Sequence, residues 1–289
     1  MKILGHRGDI GKGRYYDNTL EGYESALRHA DGLEADAVHS LDRTVYLIHD
    51  TNYVEEVQYE IRRHLNEESE KKIGHNRLDQ TPDQLIKELV VKNNAPIPKL
   101  SELIKLNARY NKFLDIELKG EKVAKSVISE LSDAIQKGYL TKEQILLSAF
   151  NHSQLYYVKE NAPGYKYAPV FANHKQRHGE RTHPWSETDF GEYIPFYIDY
   201  AVSSYMRELK PDYMVLDVWS VTRENITKLI EAFPNLKIFT WDLYEPPIQD
   251  NRQIIKIFKD PLIRSVMQGC ITNYPGLMRS YLKSNGIEI

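Results

Sequence analysis

Short apolar runs alternate along the chain with longer stretches of helical spacing. Residues 2–5, 32–38, 113–118, 144–150, 167–171, 213–217, 237–242 and 269–273 read as strands, and 44–49 as a further extended piece behind a turn at Leu41-Asp42-Arg43. Between them, apolar positions recur at helical intervals, as in Leu20, Tyr23 and Leu27, where Asn18 or Thr19 offers a cap. The same spacing predicts helices over 99–106, 122–136, 152–161, 193–209, 223–233, 250–258 and 276–283, with another beginning at Thr81-Pro82-Asp83.

About eight core strands, most followed by a helix, predict a parallel sheet. In this length they favour a closed α/β barrel, a TIM (β/α)8 fold, over an open doubly wound sheet. Residues 53–80 break the rhythm. They are rich in Glu, Arg, Lys, His and Asn and carry no clean strand, so they are expected to be a small, solvated insertion after the second strand, helical over 54–65. The chain is thus expected to be one domain over 1–289 with an insertion at about 53–80.

Composition narrows the function classes. The 289 residues carry a net charge of -3, which supplies no bulk basic field for nucleic acid or an anionic membrane. No apolar run approaches the roughly 18 residues of a bilayer span. The N-terminus runs from Met1 straight into a strand with no leader pattern, so a cytoplasmic protein is expected. The single cysteine, Cys270, lies between Gly269 and Ile271 and reads as a small core residue.

Chemistry gathers where strands end, which in such barrels is the active face. The first strand ends Gly5-His6-Arg7-Gly8, either a surface turn or an anion site, since a guanidinium fork matches phosphate oxygens. Glu34 and Asp36 share one strand face and would repel inside a barrel without a cation. Asp115, Glu117 and Lys119 share another face, read either as ion pairs across the barrel or as part of an oxygen-ligand set. Glu34, Asp36 and Glu117 without thiolates suit Mg²⁺ or Ca²⁺ better than zinc. His49 follows an extended piece, and with His6 it suggests an acid/base pair. His174, His178 and His183 are read as part of a solvated loop, and Tyr193, Tyr197 and Tyr244 as residues able to rim a pocket.

These landmarks together resemble the glycerophosphodiester phosphodiesterase family: Gly5-His6-Arg7-Gly8, Asp17-Asn18-Thr19, Gly32-Leu33-Glu34-Ala35-Asp36, His49-Asp50, Asp115-Ile116-Glu117-Leu118-Lys119, Ser148-Ala149-Phe150, Thr240-Trp241 and Thr272-Asn273-Tyr274-Pro275. The resemblance implies a TIM barrel with an insertion after the second strand and hydrolysis of a small-molecule phosphodiester to glycerol 3-phosphate and an alcohol. It implies catalytic His6 and His49, a divalent ion on Glu34, Asp36 and Glu117, and substrate contacts from Arg7 and Lys119. Trp241 is read either as the aromatic against the glycerol or head group or as ordinary core packing. Asp17 stands where the family usually has Glu, and Asn273 where it usually has Asp. The alternatives are a phospholipase C-like or sphingomyelinase D-like lyase releasing a cyclic phosphate, or a barrel that binds a ligand without turnover. No nucleic-acid partner and no stable membrane insertion are expected.

Overall fold

A computed structural model describes residues 1–11, 15–49, 64–74, 76–120, 122–172, 196–242 and 251–289. Eight parallel strands are β1 (Lys2–His6), β2 (Gly32–His39), β4 (Phe113–Leu118), β5 (Ile145–Ala149), β6 (Lys166–Phe171), β7 (Tyr213–Asp217), β8 (Lys237–Trp241) and β9 (Met267–Thr272). Each hydrogen-bonds to its neighbour in the order β1-β9-β8-β7-β6-β5-β4-β2, and pairing of β1 with β2 closes the ring. This is the TIM barrel expected from the alternation. A ninth strand, β3 (Val45–Leu47), folds back antiparallel on the far end of β2, where Ala37 faces Leu47 and His39 faces Val45.

Every residue of β2 and of β4 is buried, as parallel strands covered on both faces require. One set of side chains points outward to helices and the other into the barrel, so Leu33, Ala35, Leu114 and Ile116 join the outer apolar core with Leu103 and Val127. The helices bury one stripe each. In α5 (Val123–Gln136) the stripe is Val123, Val127, Leu131 and Ala134, the three- to four-residue spacing of an amphipathic helix. Helix α1 (Leu20–Leu27) begins at Thr19, whose hydroxyl accepts from the Gly22 N–H. Helix α11 (Pro261–Val266) was not expected, although Asp260 caps it and Pro261 opens it.

The inserted segment differs from expectation. Residues 51–63 lie outside the described residues, so the helix expected over 54–65 is not described. The rest of the insertion is not simply solvated. Helix α2 (Glu67–Ile73) turns Glu67, Glu68, Lys71 and Lys72 outward and buries Ser69 and Ile73. Ile73 joins Leu65, Leu78, Ile86, Leu89, Val91 and Ile97 in a second small core, which also takes in Val38, Tyr46 and Ile48 from the β2–β3 hairpin. Polar residues dominate this stretch because one buried face serves a lobe with little interior. Among the described residues, no helix is long and apolar enough to cross a membrane.

Candidate active site

The register of the first three barrel strands builds the site. His6 of β1 lies beside Glu34 of β2, and Glu34 beside Asp115 of β4. Two residues higher, Asp36 lies beside Glu117, and Glu117 beside Ser148 of β5. Alternation therefore stacks Glu34 with Asp115, and Asp36 with Glu117, as inward layers near the C-terminal mouth. Lys119 follows β4, its N–H donating to the Ala37 carbonyl.

Oxygens of Glu34, Asp36 and Glu117 all come within 4.8 Å of one another, and all three residues are buried. Glu34 Oε1 and Asp36 Oδ1 receive no hydrogen bond. Buried carboxylate oxygens without donors are costly unless a cation answers them. The hard oxygen set fits Mg²⁺ or Ca²⁺.

Two protein cations answer part of this charge. Arg7 Nε lies 2.9 Å from Asp36 Oδ2, and Arg7 Nη1 lies 3.4 Å from Asp17 Oδ2. Lys119 is 1% exposed, with Nζ 2.5 Å from Glu117 Oε1 and 3.6 Å from Asp36 Oδ1. The carboxyl values diverge accordingly. Burial lifts Glu34 well above the usual range, with the charges of Asp36 and Glu117 adding to it. For Asp36, burial acts upward but Arg7, His49 and Lys119 outweigh it and hold the carboxyl low. Burial raises Glu117 against the pull of Lys119. Asp115, deepest in the layer, is pushed up to about 8 by burial, with Ser148 opposing and Glu117 assisting.

Arg7 has a left-handed backbone at φ 54°, and Gly8 follows at φ 106°. A Cβ at Gly8 would come within 2.7 Å of the Gly22 backbone, so only glycine fits. Strain of this kind persists where surrounding bonds over-determine it. Here the Arg7 N–H donates to the Glu34 carbonyl at 3.0 Å, and Asn18 N–H donates to the Arg7 carbonyl at 2.9 Å. Asn18 also donates to Asp36 Oδ2 at 2.9 Å and accepts from the Tyr23 hydroxyl at 2.6 Å, fixing the carboxylate from below.

His6 Nδ1 is 2.7 Å from Asn273 Oδ1 at the end of β9. An amide oxygen only accepts, so Nδ1 carries the proton and Nε2, 3.9 Å from Glu34 Oε2, is the basic atom. Burial and then Arg7 lower His6 to about 3. His49 follows β3, beside Ile48, whose N–H donates to the Asp36 carbonyl. It is 3% exposed, and burial with Arg7 and Lys119 holds its imidazole well below the ordinary value. Trp241 donates its indole N–H to the Phe171 carbonyl at 3.2 Å, which fixes the ring at the mouth. His6, Arg7, Glu34, Glu117, Lys119 and Trp241 line one depression there, together with Asp115, Ser148 and Phe150.

The eight singled-out residues thus converge on one barrel end. Asp50, Tyr193, Tyr244 and the three loop histidines lie outside the described residues, and Tyr197 is 54% exposed. Sequence reading missed His64. Its Nδ1 is 3.4 Å from Asp17 Oδ2, and its ring centroid is 5.8 Å from that of His49. It sits in a run of polar residues without period, so no local signal marked it.

A closed parallel barrel that sets two histidines, an arginine and a lysine around three carboxylates at one mouth is suited to a phosphate ester. The sequence profile of the Glycerophosphoryl diester phosphodiesterase family matches residues 6–263. The chain belongs to that family and is a phosphodiesterase.

Solved structures agree on the fold. A provisionally assigned glycerophosphodiester phosphodiesterase from Galdieria sulphuraria shares 20% identity at a TM-score of 0.69, over 98% of this chain and 97% of that one. An Oleispira antarctica phosphodiesterase in complex with the product sn-glycerol-3-phosphate shares 18% at 0.66, over 98% and 97%. The glycerophosphodiester phosphodiesterase from Agrobacterium tumefaciens shares 18% at 0.65, over 98% and 99%. No curated protein matches the chain.

Proposed function

We propose that this chain, acting as one domain with the segment around 53–80 as its insertion, hydrolyses glycerophosphodiesters to glycerol 3-phosphate and an alcohol. The observation that carries the reading is the cluster of Glu34, Asp36 and Glu117 oxygens beneath His6 and Arg7. The product bound by the Oleispira antarctica phosphodiesterase has the same chemistry.

Glu34, Asp36 and Glu117 would hold the divalent ion, Mg²⁺ or Ca²⁺, which when bound neutralises phosphate oxygens. Arg7, pinned between Asp17 and Asp36, adds fixed positive charge where the transition state gathers negative charge. Lys119, two strands along the wall from Arg7, adds a second cation. His6, protonated at Nδ1 against Asn273, accepts the nucleophile's proton at Nε2. That nucleophile is the substrate's neighbouring hydroxyl, which attacks phosphorus as the alcohol oxygen leaves. His49 delivers the proton to that departing oxygen from its imidazolium form, the minor form because burial with Arg7 and Lys119 favours the neutral ring. Water then opens the cyclic phosphate, its proton passing to the histidine pair as the ring oxygen is protonated. Trp241 packs against the glycerol or head group.

The test is release of glycerol 3-phosphate from a panel of glycerophosphodiesters with Mg²⁺, with Ca²⁺ and with chelator. Ion-dependent release is expected. A cyclic phosphate as the only product would make the chain a lyase, and no turnover with the ion bound would make it a binding protein.

A further inference from the structure

The inserted lobe reaches into the site through His64, and this bears on the phosphate-binding arginine. Residue 64 is anchored in the lobe's own framework. The Lys92 N–H donates to the His64 carbonyl at 3.0 Å, and Leu65 forms an antiparallel bridge with Val91. Leu65 is buried in the small core beside Ile73 and Val91. The lobe thus holds the His64 backbone while the side chain, 14% exposed, turns toward the barrel.

There it meets a single oxygen that Arg7 also uses. Asp17 Oδ2 lies 3.4 Å from His64 Nδ1 and 3.4 Å from Arg7 Nη1. The Tyr16 hydroxyl is also 3.4 Å from His64 Nδ1, with the Tyr16 ring edge-on to the imidazole at 5.9 Å. The ring of His49 flanks it at 5.8 Å. Arg7 is therefore clamped from two sides. Asp36, borne by the barrel, holds Nε, and Asp17 holds Nη1. Asp17 is 13% exposed, and its neighbours at this oxygen are Arg7 and His64.

We infer that His64 is a positioning residue for the phosphodiesterase reaction, supplied by the inserted lobe, which fixes Asp17 and through it the Arg7 guanidinium that receives the substrate phosphate. The inference rests on the function proposed above. Arg7 must hold one orientation to be worth its charge at the transition state, and displacement by about 1 Å can cost on the order of 100-fold in rate. Asp17 alone, on a loop before α1, leaves its carboxylate free to rotate about two torsions. A second partner on the same oxygen removes that freedom. The insertion then completes the catalytic constellation rather than merely covering it.

The test is a double-mutant cycle on the full chain with His64→Leu, Asp17→Asn and the pair, plus His64→Gln, whose amide can still donate to Asp17. Turnover with a divalent ion and glycerol 3-phosphate affinity by calorimetry are read on each, with melting curves. His64→Leu is expected to lower kcat/KM by about 10- to 100-fold and to weaken product binding, while His64→Gln recovers most of both. In the Asp17→Asn background, His64→Leu should cost less than about twofold more. Full additivity, or a His64→Leu protein within twofold of wild type in both readouts, overturns the inference. A wild type that binds glycerol 3-phosphate but turns nothing over would sink the proposed function alone, and the affinity cycle would still decide the role of His64. If His64→Leu melts early, His64→Gln decides: a folded Gln variant that has lost activity as fully as Asp17→Asn overturns the inference.

Discussion

Replacing Lys119 with Met keeps the aliphatic stem beside the Phe150 ring and removes the charge. Lys119 is 1% exposed and its Nζ serves both Glu117 at 2.5 Å and Asp36 at 3.6 Å. Breaking a buried pair from one side costs about 3–5 kcal/mol, because the partner charge stays behind. Glu117 can instead take up a proton, since burial already pushes its carboxyl upward, and that places the loss near the lower figure. For a chain of this size each kcal/mol moves Tm by about 2–4 °C, so Lys119→Met should melt about 6–12 °C early in chelator. A divalent ion on the three carboxylates restores the missing compensation, and an ion at 100 times its Kd stabilises by about 2.7 kcal/mol. Thermal melts of both proteins in chelator and then in Ca²⁺ or Mg²⁺ read this directly. The gap should narrow on adding the ion. A gap below 2 °C in chelator, or one that widens with the ion, would refute the reasoning.

Other outcomes are expected from the same geometry. His6→Ala and His49→Ala should each lose about 100- to 10,000-fold in kcat with the barrel melting near normally, the range for general acid/base groups; near-normal turnover in either breaks the pairing. His152 is held at about 4 by burial, with the Val170 carbonyl opposing. The unfolded chain therefore binds its proton first, so stability is full above about pH 6.5 and falls as pH drops toward 4. His152→Gln should flatten that stretch of the denaturation profile. Cys270, fully buried with its thiol pushed up by burial, should resist thiol reagents at pH 8 until denaturant is added.

Much of this was legible in the sequence, and the reason lies in periodicity. Strands buried on both faces appear as short apolar runs, and charged residues interrupting them at alternate positions can only point inward. That made Glu34, Asp36 and Glu117 readable from spacing, and the register of β2 against β4 sets them side by side. Arg7 and His6 were readable because Gly5 and Gly8 mark a tight strand end. The core of the small inserted lobe was not, since α2 buries only Ser69 and Ile73 of its seven residues, too few to show a stripe. His64, and the contact that Asn273 makes with His6, escaped for another reason. Their roles arise from contacts across 47 and 267 positions of sequence, His64 to Asp17 and Asn273 to His6, which no local pattern encodes.

The hairpin of β2 and β3 belongs to both the barrel and the small core, sharing Ala37 and Leu47 with one and Val38 and Ile48 with the other. Consequently the two histidines ride on parts of unequal robustness: His6 on a strand paired on both sides, His49 on the short returning arm whose far face is covered by a lobe with few apolar residues. Elements with less buried area open at lower free energy than the core. With His6 and His49 in the roles proposed above, loosening that lobe would disable proton transfer while the barrel stayed closed, so activity should be lost below the temperature at which the barrel melts.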